Sequence, residues 1–191
     1  MFNLNVYRTK YTPMHKSYIA LILFIFTSFN CEAQQSTTIE KGGDLLLYAL
    51  PMSAIATTII KKDPKGSKQF ALGFLVNGVT TEGLKYLVKK ERPNGTNFKS
   101  FPSGHTSITF QSAAFLQKRY GWKFGIPAYV LASYTGFSRI ESKNHYFIDV
   151  LAGAAIGIGS SYIFTTKYTQ DIQVSIQRDD LGTTIGLKLE F

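Results

Sequence analysis

Five apolar stretches of helical length, parted by short connections in which lysines gather, limit the fold of this chain more than any other feature. They cover residues 45–60, 70–88, 106–117, 124–138 and 150–166. Their length, and the glycines and alanines densest in 150–166, favour helices that pack closely. Pro51 and Pro127 fall inside two of them, which membrane helices tolerate more readily than soluble ones. A bilayer-spanning helix needs about 20 apolar residues, with a lower bound of roughly 17. Four of the five sit at or under that bound and the other, 70–88, carries Glu82 and Lys85 near its end, so length alone leaves a membrane bundle and a soluble bundle both open.

Charge placement favours the membrane. Lys61, Lys62, Lys65 and Lys68 share one connection, and Lys118, Arg119 and Lys123 another. If the helices alternate across a bilayer from an outer N-terminus, both clusters fall on the cytoplasmic side, as the positive-inside rule requires. The connections 92–103 and 138–145 then fall together on the outer side. The net charge of +9 is split among such clusters and forms no continuous stripe. That disfavours a nucleic-acid partner and leaves two sources for the excess, topology signal and an anion site.

The ends read differently. Arg8, Lys10 and Lys16 precede an apolar run, 18–29, and then Asn30, Cys31, Glu32 and Ala33. This is a basic region, an apolar region and a small-residue cleavage site, so residues 1–33 are expected to be a signal peptide. A lipidated Cys31 or an uncleaved anchor are the alternatives, and all three send the chain out of the cytoplasm. Cys31 is the one cysteine, so no intramolecular disulfide forms. At the other end, 171–178 and 184–191 alternate apolar and polar residues around an Asp/Gly turn, the pattern of a β-hairpin. The expected domains are therefore 1–33, a helical domain over 34–168, and a hairpin tail over 169–191.

Three clusters carry chemistry. In the first, Lys85 and Arg92 are seven apart and would share a helical face, with Pro93 ending the helix at Arg92; Lys89 and Lys90 read as funnel or solvated charges. In the second, Phe101-Pro102-Ser103-Gly104-His105 precedes an apolar stretch. Ser103 suits a helix N-cap, Gly104 allows close backbone approach, and a helix N-terminus favours phosphate. In the third, Ser138-Arg139 precedes His145 and Asp149. Four apart on a helix, the last two would stack on one face, so that the carboxylate could take one ring proton and free the other nitrogen to attack. Arg139 offers a planar fork for phosphate oxygens. Each cluster alone has an ordinary structural explanation, but three in order are hard to obtain by chance.

Together they resemble the three signature motifs of the type 2 phosphatidic acid phosphatase (PAP2) and vanadium haloperoxidase superfamily: Lys, six residues, Arg-Pro; then Pro-Ser-Gly-His; then Ser-Arg, five residues, His, three residues, Asp. Every fixed position is present. The resemblance covers roughly residues 45–166 and implies an all-α, membrane-type helical bundle, here with a short C-terminal β-hairpin added. It implies a phosphatase acting on phosphate monoesters or pyrophosphates of lipids, with a soluble periplasmic acid phosphatase as the alternative and a vanadate-dependent haloperoxidase behind it. His145 would be the nucleophile, giving a phosphohistidine. Asp149 would orient it, and His105 would be general acid and then base. Lys85, Arg92, Ser103, Gly104 and Arg139 would bind the phosphate. The family needs no cofactor and no metal, although vanadate or phosphate can occupy the site, and the residues themselves show no carboxylate cluster at metal spacing. The partners implied are a phosphorylated lipid or small phosphate ester and the membrane, with the active site on the periplasmic side. Productive turnover requires His105 protonated and His145 neutral.

Overall fold

The structure, a computed structural model, describes residues 38–169, 172–179 and 182–189. The expected signal peptide lies outside the described residues. Among the described residues five helices follow one another: α1 (Thr38–Ile60), α2 (Pro64–Val88), α3 (Gly104–Tyr120), α4 (Trp122–Glu141) and α5 (Phe147–Phe164). Strands β1 (Ile172–Asp179) and β2 (Gly182–Leu189) pair antiparallel, Ile176 opposite Ile185, as the alternating tail predicts.

Local chemistry sets the boundaries. Asp63 caps α2 by accepting the Gly66 N–H at 2.8 Å, and Pro64 supplies the fixed φ of a first helical residue. The helix stops at Val88, where Lys89 turns into the left-handed region at φ 44°. It therefore does not reach Arg92, as Pro93 had suggested, and Lys85 and Arg92 share no helical face. Gly121, at φ 91°, makes the one-residue corner between α3 and α4, a conformation open to glycine.

The polarity of the bundle is inverted. α3 lies at the centre, packed against the other four helices, and buries Thr106, Ser107, Thr109, Gln111 and Ser112 beside Ala113, Ala114 and Phe115. Large apolar side chains instead face outward: Leu45, Met52 and Ile59 on α1, Leu75 and Val79 on α2, Val130 and Phe137 on α4, Ile163 on α5. Water would not favour such a surface, whereas hydrocarbon would. Both α1 and α5 are long and apolar enough to cross a membrane by length and composition. Glycine lets α5 close on α3. A Cβ at Gly153 would lie 2.5 Å from the Ser103 carbonyl oxygen, and one at Gly157 would overlap the Ser107 carbonyl oxygen.

Up-down connectivity sorts the loops onto two ends. One end holds 61–63, Gly121 and the segment after α5. There Arg119 grips Asp63 with two bonds, Nε to Oδ2 at 2.7 Å and Nη2 to Oδ1 at 2.6 Å, and Tyr120 donates to the same carboxylate. Arg119 is thus a buried structural cation, and only its lysine neighbours remain as surface charge of the lysine-rich side. The opposite end gathers the start of α1 with the connections 89–103 and 142–146.

Candidate active site

All eight residues singled out by the motifs lie at or near this second end, supplied by α2, α3, α4, α5 and the two connections. His145 sits just before α5 and is 4% exposed. Its Nδ1 is 2.6 Å from the Ser100 carbonyl oxygen. A carbonyl only accepts, so Nδ1 carries the proton and the neutral ring keeps its lone pair on Nε2. Burial, and then the positive charge of Arg92, push this imidazole down to about 3; His105 and Lys85 act in the same direction and the Ser100 bond opposes them. His145 is therefore neutral over the whole physiological range, within the field of Arg92, Lys85 and His105.

Asp149 does not bond His145, contrary to the helical stacking expected of residues four apart. The reason is local: α5 begins at Phe147 with Tyr146 at its N-cap, so His145 is outside the helix and its ring is not one turn below Asp149. The Asp149 carboxylate is fully buried. It accepts from Ser100 Oγ at 2.5 Å, the Tyr146 N–H at 3.0 Å and Lys90 Nζ at 2.7 Å. It is linked to His145 through Ser100, whose hydroxyl it holds and whose carbonyl holds the ring. Lys90 is accordingly no solvated charge: it neutralises Asp149 and lies 4.4 Å from the centre of the Tyr146 ring. Sequence reasoning missed both Lys90 and Ser100, because neither belongs to a fixed motif position.

The cations are individually anchored. Lys85 Nζ bonds Glu82 at 2.8 Å and would be 3.0 Å from a Cβ at Gly104, so any side chain there would crowd the ammonium. Arg92 Nη1 reaches Asn144 Oδ1 at 3.4 Å. Its backbone N–H bonds the Asn97 carbonyl and its carbonyl accepts from Gly95, folding the loop back on itself. Ser103 occupies the N-cap position of α3, yet its hydroxyl pairs with Thr106 Oγ1 at 2.9 Å and it is fully buried. The structure thus turns the Ser103 hydroxyl inward, and its N–H bonds the Asp149 carbonyl oxygen. Gly104 and His105 form the first turn of α3, where backbone N–H groups have no partner within the helix.

The first turns of α1 close the site, which no motif announces. The Glu40 carbonyl accepts Arg139 Nη2 at 2.8 Å and its carboxylate accepts Asn144 Nδ2 at 2.6 Å. Asp44 Oδ1 accepts Arg139 Nη1 at 2.8 Å and lies 3.0 Å from His105 Nε2. Among the described residues no group of three His, Cys, Asp or Glu is arranged to hold a metal ion.

The PAP2 superfamily model matches residues 67–172. The chain belongs to the PAP2 superfamily. It is 29% identical to the lipid A 4'-phosphatase of Helicobacter pylori over 163 residues, 79% of this chain and 82% of that protein. It is 41% identical over 91 residues to the lipid A 1-phosphatase of Porphyromonas gingivalis, a stretch that is 46% of this chain and 20% of that longer protein. Among solved structures, Aquifex aeolicus LpxE shares the fold, with a TM-score of 0.59 over 75% of this chain and 92% of that chain at 23% identity. As a PAP2 member the chain is a phosphoric ester hydrolase, and its helical bundle is the PAP2 fold.

Proposed function

We propose that this PAP2 protein removes phosphate from a membrane lipid by in-line attack of His145 Nε2 on phosphorus. The observation that carries the reading is the state of His145: buried, neutral, its Nδ1 fixed on Ser100, and set among Arg92, Lys85 and His105. Such a ring is a nucleophile that keeps its Nε2 lone pair, within the field of fixed positive charge. Lys85, Arg92 and Arg139, with the Gly104 N–H, bind the three equatorial oxygens, where charge accumulates in phosphoryl transfer. They supply the charge stabilisation that a divalent ion provides elsewhere, so turnover needs none. His105 protonates the leaving oxygen, a phosphohistidine forms, and His105 then takes a proton from the attacking water. Exposed apolar side chains around the bundle support a site that meets its substrate at a bilayer surface. The lysine-bearing connections at the opposite end support an orientation with the site on the extracytoplasmic side. The names of the relatives support a lipid carrying a phosphate monoester.

Purified protein in detergent with excess EDTA, offered phosphatidate, lipid A and a water-soluble aryl phosphate, tests the reading. EDTA-resistant release that prefers a lipid and vanishes in His145→Ala is expected. Equal use of the soluble ester would replace the lipid assignment by a general acid phosphatase, and release that survives His145→Ala would end the phosphohistidine mechanism.

A further inference from the structure

One carboxylate oxygen joins the two groups that the mechanism keeps separate. Asp44 Oδ1 accepts Arg139 Nη1 at 2.8 Å and is 3.0 Å from His105 Nε2. The approach is built into the packing. A Cβ at Gly43 would overlap the Ser138 hydroxyl and come within 2.7 Å of Arg139 Nη2, so only glycine lets α1 lie this close to the end of α4. The neighbouring Glu40 carbonyl takes Arg139 Nη2. Arg139, 3% exposed, is thereby clamped by α1 on two nitrogens, while each of these nitrogens retains a second hydrogen for a phosphate oxygen.

An ionised carboxylate only accepts hydrogen bonds, so the His105 nitrogen facing Asp44 is an N–H. The ring then exchanges protons at Nδ1 alone. Burial, and the charges of Arg139 and Lys85, hold the basicity of His105 below that of a free imidazole, and the Asp44 carboxylate opposes them by favouring the protonated form, the form a general acid needs.

We propose that Asp44 is the positioning residue of the general acid: it fixes the tautomer of His105, stabilises its imidazolium, and sets it at a constant distance from the Arg139 grip on phosphate. This inference rests on the assignment of His105 as acid and base. In the first step the His145 Nε2–P bond forms while the P–O bond to the lipid breaks. The bonding pair goes to the leaving oxygen, which takes the Nδ1 proton of His105. In the second step water oxygen bonds phosphorus, the N–P pair returns to His145, and the water proton goes to His105 Nδ1. Throughout, Nε2–H stays on Asp44.

The test is Asp44→Asn, near-isosteric and still able to accept from Nε2–H, assayed on two esters that both enter from the micelle. One is phosphatidate, whose alkoxide must be protonated to leave. The other is a nitrophenyl phosphate carrying an alkyl tail, whose phenolate leaves without help. General acid catalysis is worth about 10²–10⁴-fold. We expect kcat on phosphatidate to fall about a hundredfold, and kcat on the nitrophenyl ester less than about fivefold. His105→Gln with Asp44→Asn should be no slower than His105→Gln alone. Equal losses on the two esters, or losses that multiply in the double variant, would reduce Asp44 to a packing residue and overturn the proposal. Turnover that holds or rises in Asp44→Asn would make it a competitor for the phosphate seat, and overturn it too. The phosphohistidine reading is judged separately by His145→Ala on the same two esters.

Discussion

Replacing Lys90 separates the structure from the motif pattern most sharply, since the pattern assigns this lysine nothing. Its ammonium is one of three donors to the fully buried Asp149 carboxylate, with Ser100 Oγ and the Tyr146 N–H. Lys90→Met keeps the aliphatic stem and removes the charge. A hydrogen bond to a charged group contributes about 1.5–3 kcal/mol, and breaking a wholly buried pair costs about 3–5 kcal/mol. The Lys90 side chain is 31% exposed, which places the loss toward the lower range, about 2 kcal/mol. Asp149 can recover part of it only by taking a proton or by moving, and either change loosens Ser100. Ser100 is held twice by this region, through its hydroxyl on Asp149 and its N–H on the Lys90 carbonyl at 2.9 Å. Its own carbonyl aims His145. If most of the loss appears as misplacement of His145, the proposed nucleophile, about 1.4 kcal/mol per tenfold gives a fall in kcat of about 10–30-fold, with KM little changed. The assay is phosphate release in detergent, paired with thermal unfolding, beside Lys90→Arg, which restores the charge, and Lys89→Ala, which touches an exposed cap residue. Lys90→Arg should regain most of the activity, and Lys89→Ala should stay within about twofold of wild type. Wild-type kcat and unfolding midpoint in Lys90→Met would refute the relay from Lys90 through Asp149 and Ser100 to His145.

Two further outcomes are expected. His145 is lowered to about 3 in the folded protein against about 6.5 unfolded, so between these values the unfolded chain binds the extra proton. Its share of stability is full above pH 6.5 and is lost as pH falls toward 3, at up to about 1.4 kcal/mol per pH unit; thermal unfolding at pH 7.5 and 4.5 should show wild type losing more than His145→Gln, and equal losses would contradict the burial of a neutral ring. At the other end, Arg119→Leu leaves Asp63 buried without its bidentate partner, at a cost of about 3–5 kcal/mol; the unfolding midpoint should drop sharply while kcat of the remaining folded protein at the distant site stays near wild type.

The helices were legible because four of the five hydrophobic stretches lie inside one and 150–166 overruns α5 by only two residues, but their ends were not. The stretch 45–60 extends back to Thr38 in α1, and those added turns hold Glu40 and Asp44. They are polar because they face Arg139, Asn144 and His105, partners 61 to 104 residues away that no local pattern reveals. The reverse error occurs at 89–92, where Pro93 suggested a helix running to Arg92 and Lys89 instead turns left-handed. The motif residues were legible as a set and the partners of some were not. His145 and Asp149 read as a helical pair until the Tyr146 cap placed one outside the helix. Alternation did reveal the hairpin, because a strand pair states its period locally, whereas the inverted interior of α3 has hardly any apolar stripe to read.

A site meant for a dianion is unexpectedly rich in carboxylates, and the pairing explains why. Lys85 is bonded to Glu82, Lys90 to Asp149 and Arg139 to Asp44. Unpaired, clustered cations at the starts of α3 and α5 would repel one another and the positive ends of those helix dipoles, and their long side chains would scatter. Pairing lowers that repulsion and fixes each donor before substrate arrives. The consequence falls on binding more than on turnover. On the proposed reading a phosphate shares cations already engaged, which weakens its ground-state grip, yet the donors need no rearrangement as charge moves onto the equatorial and leaving oxygens. Stabilisation that is realised in the transition state rather than in the bound ester raises kcat. It also spares the enzyme from being held by its own product, the phosphate ion, whose charge resembles that of the substrate.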